Sequence, residues 1–160
     1  MEQRLNYMEV DPKLMRAMFG LGAPVAQSGL ETSLIDLINF RVSQINGCAY
    51  CLDMHSKDMR AAGETEQRLY VLEAWREAPF YSERERAALA WAEAVTLLTN
   101  KDVPDDVYEH ARSQFSEHEL AILTLAVVAI NSWNRLNIAF RTTPGSYQPG
   151  MFKTASHVKA

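Results

Sequence analysis

The sequence predicts an all-α fold, a single-domain helical bundle with a Cys-x-x-Cys motif at a helix N-terminus. Apolar residues recur with a period near 3.6, and no segment alternates apolar and polar residues for long enough to form a strand. Ser and Glu recur at capping-box spacing before apolar runs. The length of 160 residues fits one domain, and 48% hydrophobic residues supply its core. We therefore expect one domain over residues 1–160.

The first two helices are predicted from their start signals. Asp11 followed by Pro12 is typical of an N-cap and first helical position. The glycines and proline of residues 20–24 are expected to end that helix. Ser28 and Glu31 then have capping-box spacing, which predicts a second helix start before the apolar residues of 34–45.

The middle of the chain predicts two further helices. Residues 46–47, Asn-Gly, form a turn signal that should end the second helix. A third helix is expected from about Cys48 to Ala62, with Gly63 just beyond its end. Thr65 can cap a fourth helix that carries the apolar residues of 69–75.

The remaining helices follow the same signals. Two further capping boxes are present, Ser82 with Glu85 and Ser116 with Glu119. Between them, a short helix is expected from about Pro104 to Phe115. Residues 142–160 contain two Pro-Gly pairs, which favour turns, and they predict an irregular C-terminal arm.

The last predicted helix is apolar nearly all round over residues 120–133. Such a helix is buried, either centrally or against another subunit, so we expect a homo-oligomer. Polar side chains cluster at the end of this run and must find partners. We interpret them as structural hydrogen-bonding residues at a subunit contact: Asn131, Asn134, Arg135 and Asn137.

Composition and charge exclude several functions. The formal net charge is −4, and no basic stripe is available to neutralise phosphates, so we expect no nucleic-acid partner. The longest uncharged stretch, 120–134, is too short to span a membrane, so we expect no membrane role. The polar N-terminus lacks the apolar segment of a secretory signal, which predicts a cytoplasmic protein.

The most informative segment joins two cysteines and a histidine. Cys48 and Cys51 stand at i and i+3, close enough for a disulfide, and His55 follows Cys51 at i+4 on the same helix face. An imidazole there can accept the thiol proton or stabilise a thiolate, which is the nucleophilic form of cysteine. The helix N-terminus favours an anionic sulfur at Cys48. Helix physics alone therefore makes Cys48 the more activated sulfur.

Three interpretations of this segment stay open on the residues alone. The pair could be a redox dithiol, a zinc site shared with His55, or two structural cysteines. A closed structural zinc site needs four ligands, and the remaining histidines are scattered singly: His110, His118 and His157. A thioredoxin-type assignment fails because no βαβ pattern lies nearby.

Residues 41–55, RVSQINGCAYCLDMH, resemble the core motif of alkylhydroperoxidase D-like proteins within the carboxymuconolactone decarboxylase superfamily. The resemblance extends over about residues 34–98, and residues 131–136, NSWNRL, are also similar. It implies an all-helical fold and a homo-oligomer, a trimer or hexamer. No cofactor is expected.

The resemblance also implies residue roles. Cys51 would attack a hydroperoxide and become a sulfenic acid, which Cys48 would resolve to a disulfide. His55 would belong to a proton relay whose other member is Asp36, where the family has a glutamate. Tyr50 stands where well-known members carry a histidine. These two departures leave the relay incomplete and affect rate and substrate more than the redox chemistry.

These roles define the predicted function, a thiol-dependent peroxidase in antioxidant defence. Its partners would be a hydroperoxide substrate and an external dithiol electron donor, either lipoyl-bearing or thioredoxin-like. The alternatives are a general thiol–disulfide oxidoreductase or redox-sensing partner, and a decarboxylase-type enzyme acting on a lactone. The latter needs no cysteine pair.

Overall fold

The chain is described by a computed structural model that covers residues 2–152. Eight α-helices and two short 3₁₀ turns make up the regular structure of these residues, which contain no strand. The helices are α1 (Tyr7–Val10), α2 (Pro12–Ala26), α3 (Thr32–Asn46), α4 (Ala49–Ala61), α5 (Glu66–Tyr70), α6 (Glu83–Leu97), α7 (Asp105–Gln114) and α8 (Glu117–Phe140). The predicted all-α fold is confirmed.

Helix α8 lies at the centre of the bundle and contacts α2, α3, α4, α6 and α7. Its apolar residues Leu123 and Val127 are fully buried against α3 and α6. A second apolar cluster lies between α3, α4 and the chain that follows α5, around Leu37, Leu72 and Trp75. The central position of α8 explains the hydrophobicity of its buried residues, whereas Val128 and Ile138 of the same helix are exposed.

Most predicted helix starts are confirmed by their caps. The Asp11 carboxylate accepts the Lys13 backbone N–H at 2.8 Å. The Thr65 hydroxyl accepts the Arg68 N–H, which starts α5. Both capping boxes predicted for α6 and α8 are complete, since Ser and Glu each satisfy the other's backbone N–H.

The predicted break at residues 20–24 is wrong, because α2 continues through both glycines and Pro24 to Ala26. Pro24 lies in the last turn of α2, and because proline has no backbone N–H, the helix loses one hydrogen bond there. The Gln27 N–H closes the helix end on the Ala23 carbonyl at 3.2 Å. Packing of α2 against α8 outweighs the weak local propensity.

The predicted capping box at Ser28 and Glu31 is also wrong. Gly29 has a φ of 82°, which turns the chain between the two residues. The Ser28 hydroxyl instead donates to the Val25 carbonyl and accepts the Leu30 N–H. Helix α3 begins at Thr32 without a side-chain cap.

The fourth predicted helix is shorter than expected. It ends at Tyr70 and is followed by a 3₁₀ turn at Leu72–Ala74.

Residues 142–152 form turns without a helix, and the rest of the predicted C-terminal arm, with His157, lies outside the described residues. No helix within residues 2–152 is long and apolar enough to cross a membrane.

Candidate functional site

The Cys-x-x-Cys motif lies at the N-terminus of α4, as the sequence predicts. Gly47 ends α3 with a φ of 69°, in the left-handed region that glycine adopts without strain. Cys48 is the N-cap of α4, and its Sγ accepts the Cys51 backbone N–H at 3.3 Å. Cys48 and Cys51 form a disulfide, with Cα atoms 5.4 Å apart. The pair can therefore close within one helical turn.

A cavity of about 770 Å³ lies beside this helix, between α2, α4 and α8. Its wall includes Cys51 and His55, whereas Cys48 and Asp36 are not among the residues that line it. The wall is mostly apolar, with side chains from α2, α3, α4 and α8: Met15, Met18, Phe19, Ile35, Met54, Ile130 and Trp133. The wall also carries polar side chains: Tyr7, Gln27, Thr32, Asn39, Tyr50, His55, Asp58, Asn137 and Tyr147.

His55 is buried, and burial lowers its pKa to about 4, against the opposing effect of the Asp58 carboxylate. The imidazole is therefore neutral at pH 7. Its Nε2 atom is buried and has no hydrogen-bond partner among residues 2–152. A neutral imidazole can accept a proton, and His55 lines the same cavity as Cys51.

Asn137 is a site residue that the sequence interpretation assigned to structural bonding. Its side-chain Nδ2 donates to Cys51 Sγ at 3.4 Å and to the Trp133 carbonyl at 3.1 Å. Its Oδ1 accepts the Tyr7 hydroxyl at 3.1 Å. Asn137 lies 86 residues from Cys51, so no local spacing could have revealed the contact. The only sequence signal was a polar residue in an apolar helix.

The other polar residues of α8 have partners within the chain. Asn46 Nδ2 donates to Asn131 Oδ1 at 3.0 Å and to Asn134 Oδ1 at 2.9 Å. Asn134 Nδ2 donates to the Ser43 hydroxyl at 3.1 Å. Because Asn46 ends α3 directly before Gly47, this network fixes the turn that presents the cysteine motif.

Asp36 lies half-buried on α3. Its place in a proton relay with His55 stays a prediction. Tyr50, the other departure from the family's pattern, lies buried beside both cysteines, and burial raises the pKa of its phenol. It therefore adds an uncharged polar group to the cavity wall at pH 7.

The C-terminal segment 142–152 covers the outer side of α4, which the sequence analysis did not anticipate. Lys57 donates to the Gly145 and Tyr147 carbonyls at 3.2 and 3.1 Å. The Tyr147 hydroxyl donates to the Asp58 carboxylate at 2.8 Å. Tyr147 and Phe152 thereby become part of the cavity wall.

An all-helical bundle with a disulfide-forming Cys-x-x-Cys at a helix N-terminus and a buried histidine one turn later defines a class of helical thiol proteins. Residues 12–94 match the carboxymuconolactone decarboxylase family, and the chain belongs to it. The resemblance to alkylhydroperoxidase D-like proteins of this superfamily is confirmed.

Similar proteins cover most of the chain. The uncharacterised protein YdfG of Bacillus subtilis is 46% identical over 139 residues, which are 87% of this chain and 95% of YdfG. A crystal structure from Agrobacterium tumefaciens matches with a TM-score of 0.86 and 42% identity. The match covers 91% of this chain and 100% of the Agrobacterium chain. That structure is of a protein of unknown function, proposed to be an antioxidant defence protein AhpD.

A shorter part of the chain is similar to a protein whose name states an activity. The alkyl hydroperoxide reductase AhpD of Mycobacteroides abscessus is 44% identical over 50 residues. The match covers 31% of this chain and 27% of that reductase.

Proposed function

We propose that the protein is a thiol-dependent peroxidase that reduces organic hydroperoxides through Cys51 and Cys48 and acts in antioxidant defence. The observation that carries the proposal is the asymmetry of the disulfide. Cys51 lies on the cavity wall with the neutral His55, and Cys48 lies outside the cavity. A substrate in the cavity would therefore meet Cys51.

The first step oxidises Cys51. His55 accepts the Cys51 thiol proton, and the resulting thiolate attacks the terminal oxygen of the hydroperoxide. An S–O bond forms while the O–O bond breaks, so sulfur loses two electrons and becomes a sulfenic acid. The leaving alkoxide takes the proton from His55 and departs as an alcohol.

The second step forms the disulfide. The Cys48 sulfur attacks Sγ of the Cys51 sulfenic acid, so that the S–S bond forms while the S–O bond breaks; the leaving hydroxide takes the Cys48 thiol proton and departs as water. The presence of a Cys48–Cys51 disulfide in the structure supports this step, because the two sulfur atoms can pair within the fold. An external dithiol then reduces it by two thiol–disulfide exchanges and is itself oxidised to a disulfide.

The cavity wall favours an apolar substrate. Apolar residues make up most of it, with Met, Phe, Ile and Trp side chains among them, so the organic part of a hydroperoxide can leave water there. Hydrogen peroxide would gain none of this burial. We therefore expect faster oxidation by a bulky organic hydroperoxide than by hydrogen peroxide at equal concentration.

The electron donor must reach sulfur atoms that are almost fully buried. Cys48 and Cys51 are each 1% exposed. A slender dithiol on a flexible arm, such as a lipoyl group, fits a cavity better than the flat surface of a thioredoxin-like protein.

The proposal includes Asp36 as a further relay residue, a homo-oligomeric trimer or hexamer, and a cytoplasmic location.

The test is a competition between oxidants. Fully reduced protein is mixed with a small excess of cumene hydroperoxide, hydrogen peroxide or a peptide disulfide, and the loss of free thiols is followed by stopped flow. Mass spectrometry identifies the product. We expect cumene hydroperoxide to react fastest and to give the Cys48–Cys51 disulfide. The Cys48→Ser, Cys51→Ser double variant controls for reactions elsewhere in the chain.

Two results would contradict the proposal. Fast exchange with the peptide disulfide and slow reaction with both peroxides would support a general thiol–disulfide oxidoreductase instead. No reaction with any oxidant would make the dithiol structural.

A further inference from the structure

Asn137 holds its side-chain amide in one orientation beside Cys51. The Trp133 carbonyl can only accept a hydrogen bond, so the Asn137 atom 3.1 Å from it must be the nitrogen. That same nitrogen lies 3.4 Å from Cys51 Sγ. The orientation is therefore fixed by an independent contact, and an N–H of Asn137 points at the sulfur.

Tyr7 completes the bonding of this amide from the opposite side. Its hydroxyl donates to Asn137 Oδ1 at 3.1 Å, and both side chains are buried. Burial raises the pKa of Tyr7 to about 12, which keeps the hydroxyl protonated and able to donate. Tyr7 lies in α1 and Asn137 in α8, so this bond also ties the N-terminal helix to the cavity wall.

The strength of the hydrogen bond from Asn137 to Cys51 Sγ depends on the redox state of that sulfur. A disulfide sulfur is a weak acceptor, whereas a thiolate accepts hydrogen bonds strongly, as charged acceptors do. A donor held in place before reduction needs no rearrangement when the thiolate forms. The contact therefore gains strength when Cys51 becomes the attacking group.

We propose that Asn137 is a catalytic hydrogen-bond donor that stabilises the Cys51 thiolate, and that Tyr7 positions it. This inference rests on the proposed peroxidase function and explains why Cys51 attacks although Cys48 is the N-cap. The Cys48 sulfur accepts a backbone N–H of its own helix, and Asn137 supplies the corresponding donor to Cys51 from across the bundle.

Several titratable side chains share the cavity with Cys51, and the Asn137 variants leave all of them unchanged: Tyr7, Tyr50, His55, Asp58 and Tyr147. Comparing an Asn137 variant with its parent protein therefore isolates the amide from these groups.

The test measures the ionisation of the Cys51 thiol directly. A Cys48→Ser parent leaves one thiol, which avoids two coupled titrations. The rate of iodoacetamide alkylation is followed against pH, and its midpoint gives the Cys51 pKa. We expect Asn137→Leu to raise the midpoint by about 1–2 units, since a hydrogen bond to a charged group is lost. Oxidation by cumene hydroperoxide at pH 7 should fall by about 10- to 100-fold.

Three further variants separate bonding from folding. Ser132→Ala, on the same helix but outside the cavity, removes only a hydroxyl that donates to the Val128 carbonyl of that helix and should leave the midpoint unchanged. Asn137→Ala serves where leucine does not fold, and should shift the midpoint in the same direction. Tyr7→Phe removes only the orienting hydroxyl and should raise the midpoint by less than Asn137→Leu.

The inference and the function fail separately. Unchanged midpoints in both folded Asn137 variants would overturn the inference, whatever the peroxide rate of the parent. If the parent does not react with peroxide, the peroxidase proposal fails and the catalytic role of Asn137 fails with it, although a midpoint shift would still establish the hydrogen bond.

Discussion

The two sulfur atoms of one disulfide lie in different surroundings. Cys48 belongs to the turn between α3 and α4, and its sulfur accepts a backbone N–H three residues ahead. Cys51 lies one turn into the helix and faces a cavity, with a hydrogen-bond donor from α8. Both cysteines are 1% exposed. Burial therefore does not distinguish them, but their neighbours do.

The surroundings of Cys48 depend on local helix geometry, whereas those of Cys51 depend on tertiary packing. The Cys48 environment follows from helix geometry, because an N-cap side chain with an acceptor atom can bond the free N–H groups of the first turn. The Cys51 environment requires α1, α2 and α8 to pack around α4. We therefore expect changes on the Cys51 side to alter chemistry, and changes on the Cys48 side to alter mainly stability.

The largest expected effect is on the Cys51 side. His55→Asn removes the proposed base, so the rate of Cys51 oxidation by cumene hydroperoxide should fall by about 10²- to 10⁴-fold at pH 7. Stopped-flow thiol loss measures it. His110→Asn is the control, because His110 is an exposed histidine of α7 outside the cavity. Equal rates for His55→Asn and the parent would remove His55 from the mechanism.

His55 also predicts a pH dependence of stability. Its pKa is about 4 in the folded protein and near 6.5 in the unfolded chain, so the unfolded chain binds the proton first as pH falls. This contribution is fully present above pH 6.5 and is lost as pH falls toward 4, by about 3 kcal/mol in total.

Urea unfolding at several pH values measures that contribution. The free energy of unfolding of the parent should decrease more steeply between pH 6.5 and 4 than that of His55→Asn. Parallel curves for the two proteins would show that His55 is not buried in its neutral form.

The smallest expected effect is on the Cys48 side. Gly47 has a φ of 69°, so Gly47→Ala should destabilise the protein by about 1 kcal/mol. Gly22→Ala is the matched substitution within α2, where an added Cβ meets open space, and should stabilise by about 0.5–1 kcal/mol. Thermal unfolding measures both. A changed Cys51 alkylation midpoint in Gly47→Ala would contradict the separation of the two sides.

The sequence predicted the local features of this fold well. Caps such as Ser82 and Ser116 act within one turn, so their spacing indicates the helix start where the local backbone allows it. The predictions fail where tertiary packing or backbone conformation decides. Helix α2 continues through Pro24 because α8 supports it, and Gly29 turns the chain at the expected Ser28 cap.

The candidate site divides in the same way. Cys48, Cys51 and His55 lie within eight residues, and their proximity follows from helical spacing. Asn137 donates to the sulfur, and Tyr7 donates to Asn137 from the opposite end of the chain, so only the folded bundle brings the three residues together. Asn137 carried a signal as a buried polar residue, but nothing in the sequence said which partner it would find.

The central claim is that Cys51, and not Cys48, meets the hydroperoxide. The most direct measurement uses the reduced single-cysteine variants Cys48→Ser and Cys51→Ser, treated with cumene hydroperoxide and dimedone, which labels sulfenic acids. Mass spectrometry then locates the adduct and stopped flow gives its rate. We predict a rapid adduct on Cys51 in Cys48→Ser and none above background on Cys48 in Cys51→Ser. Equal or faster labelling of Cys48 would contradict the account.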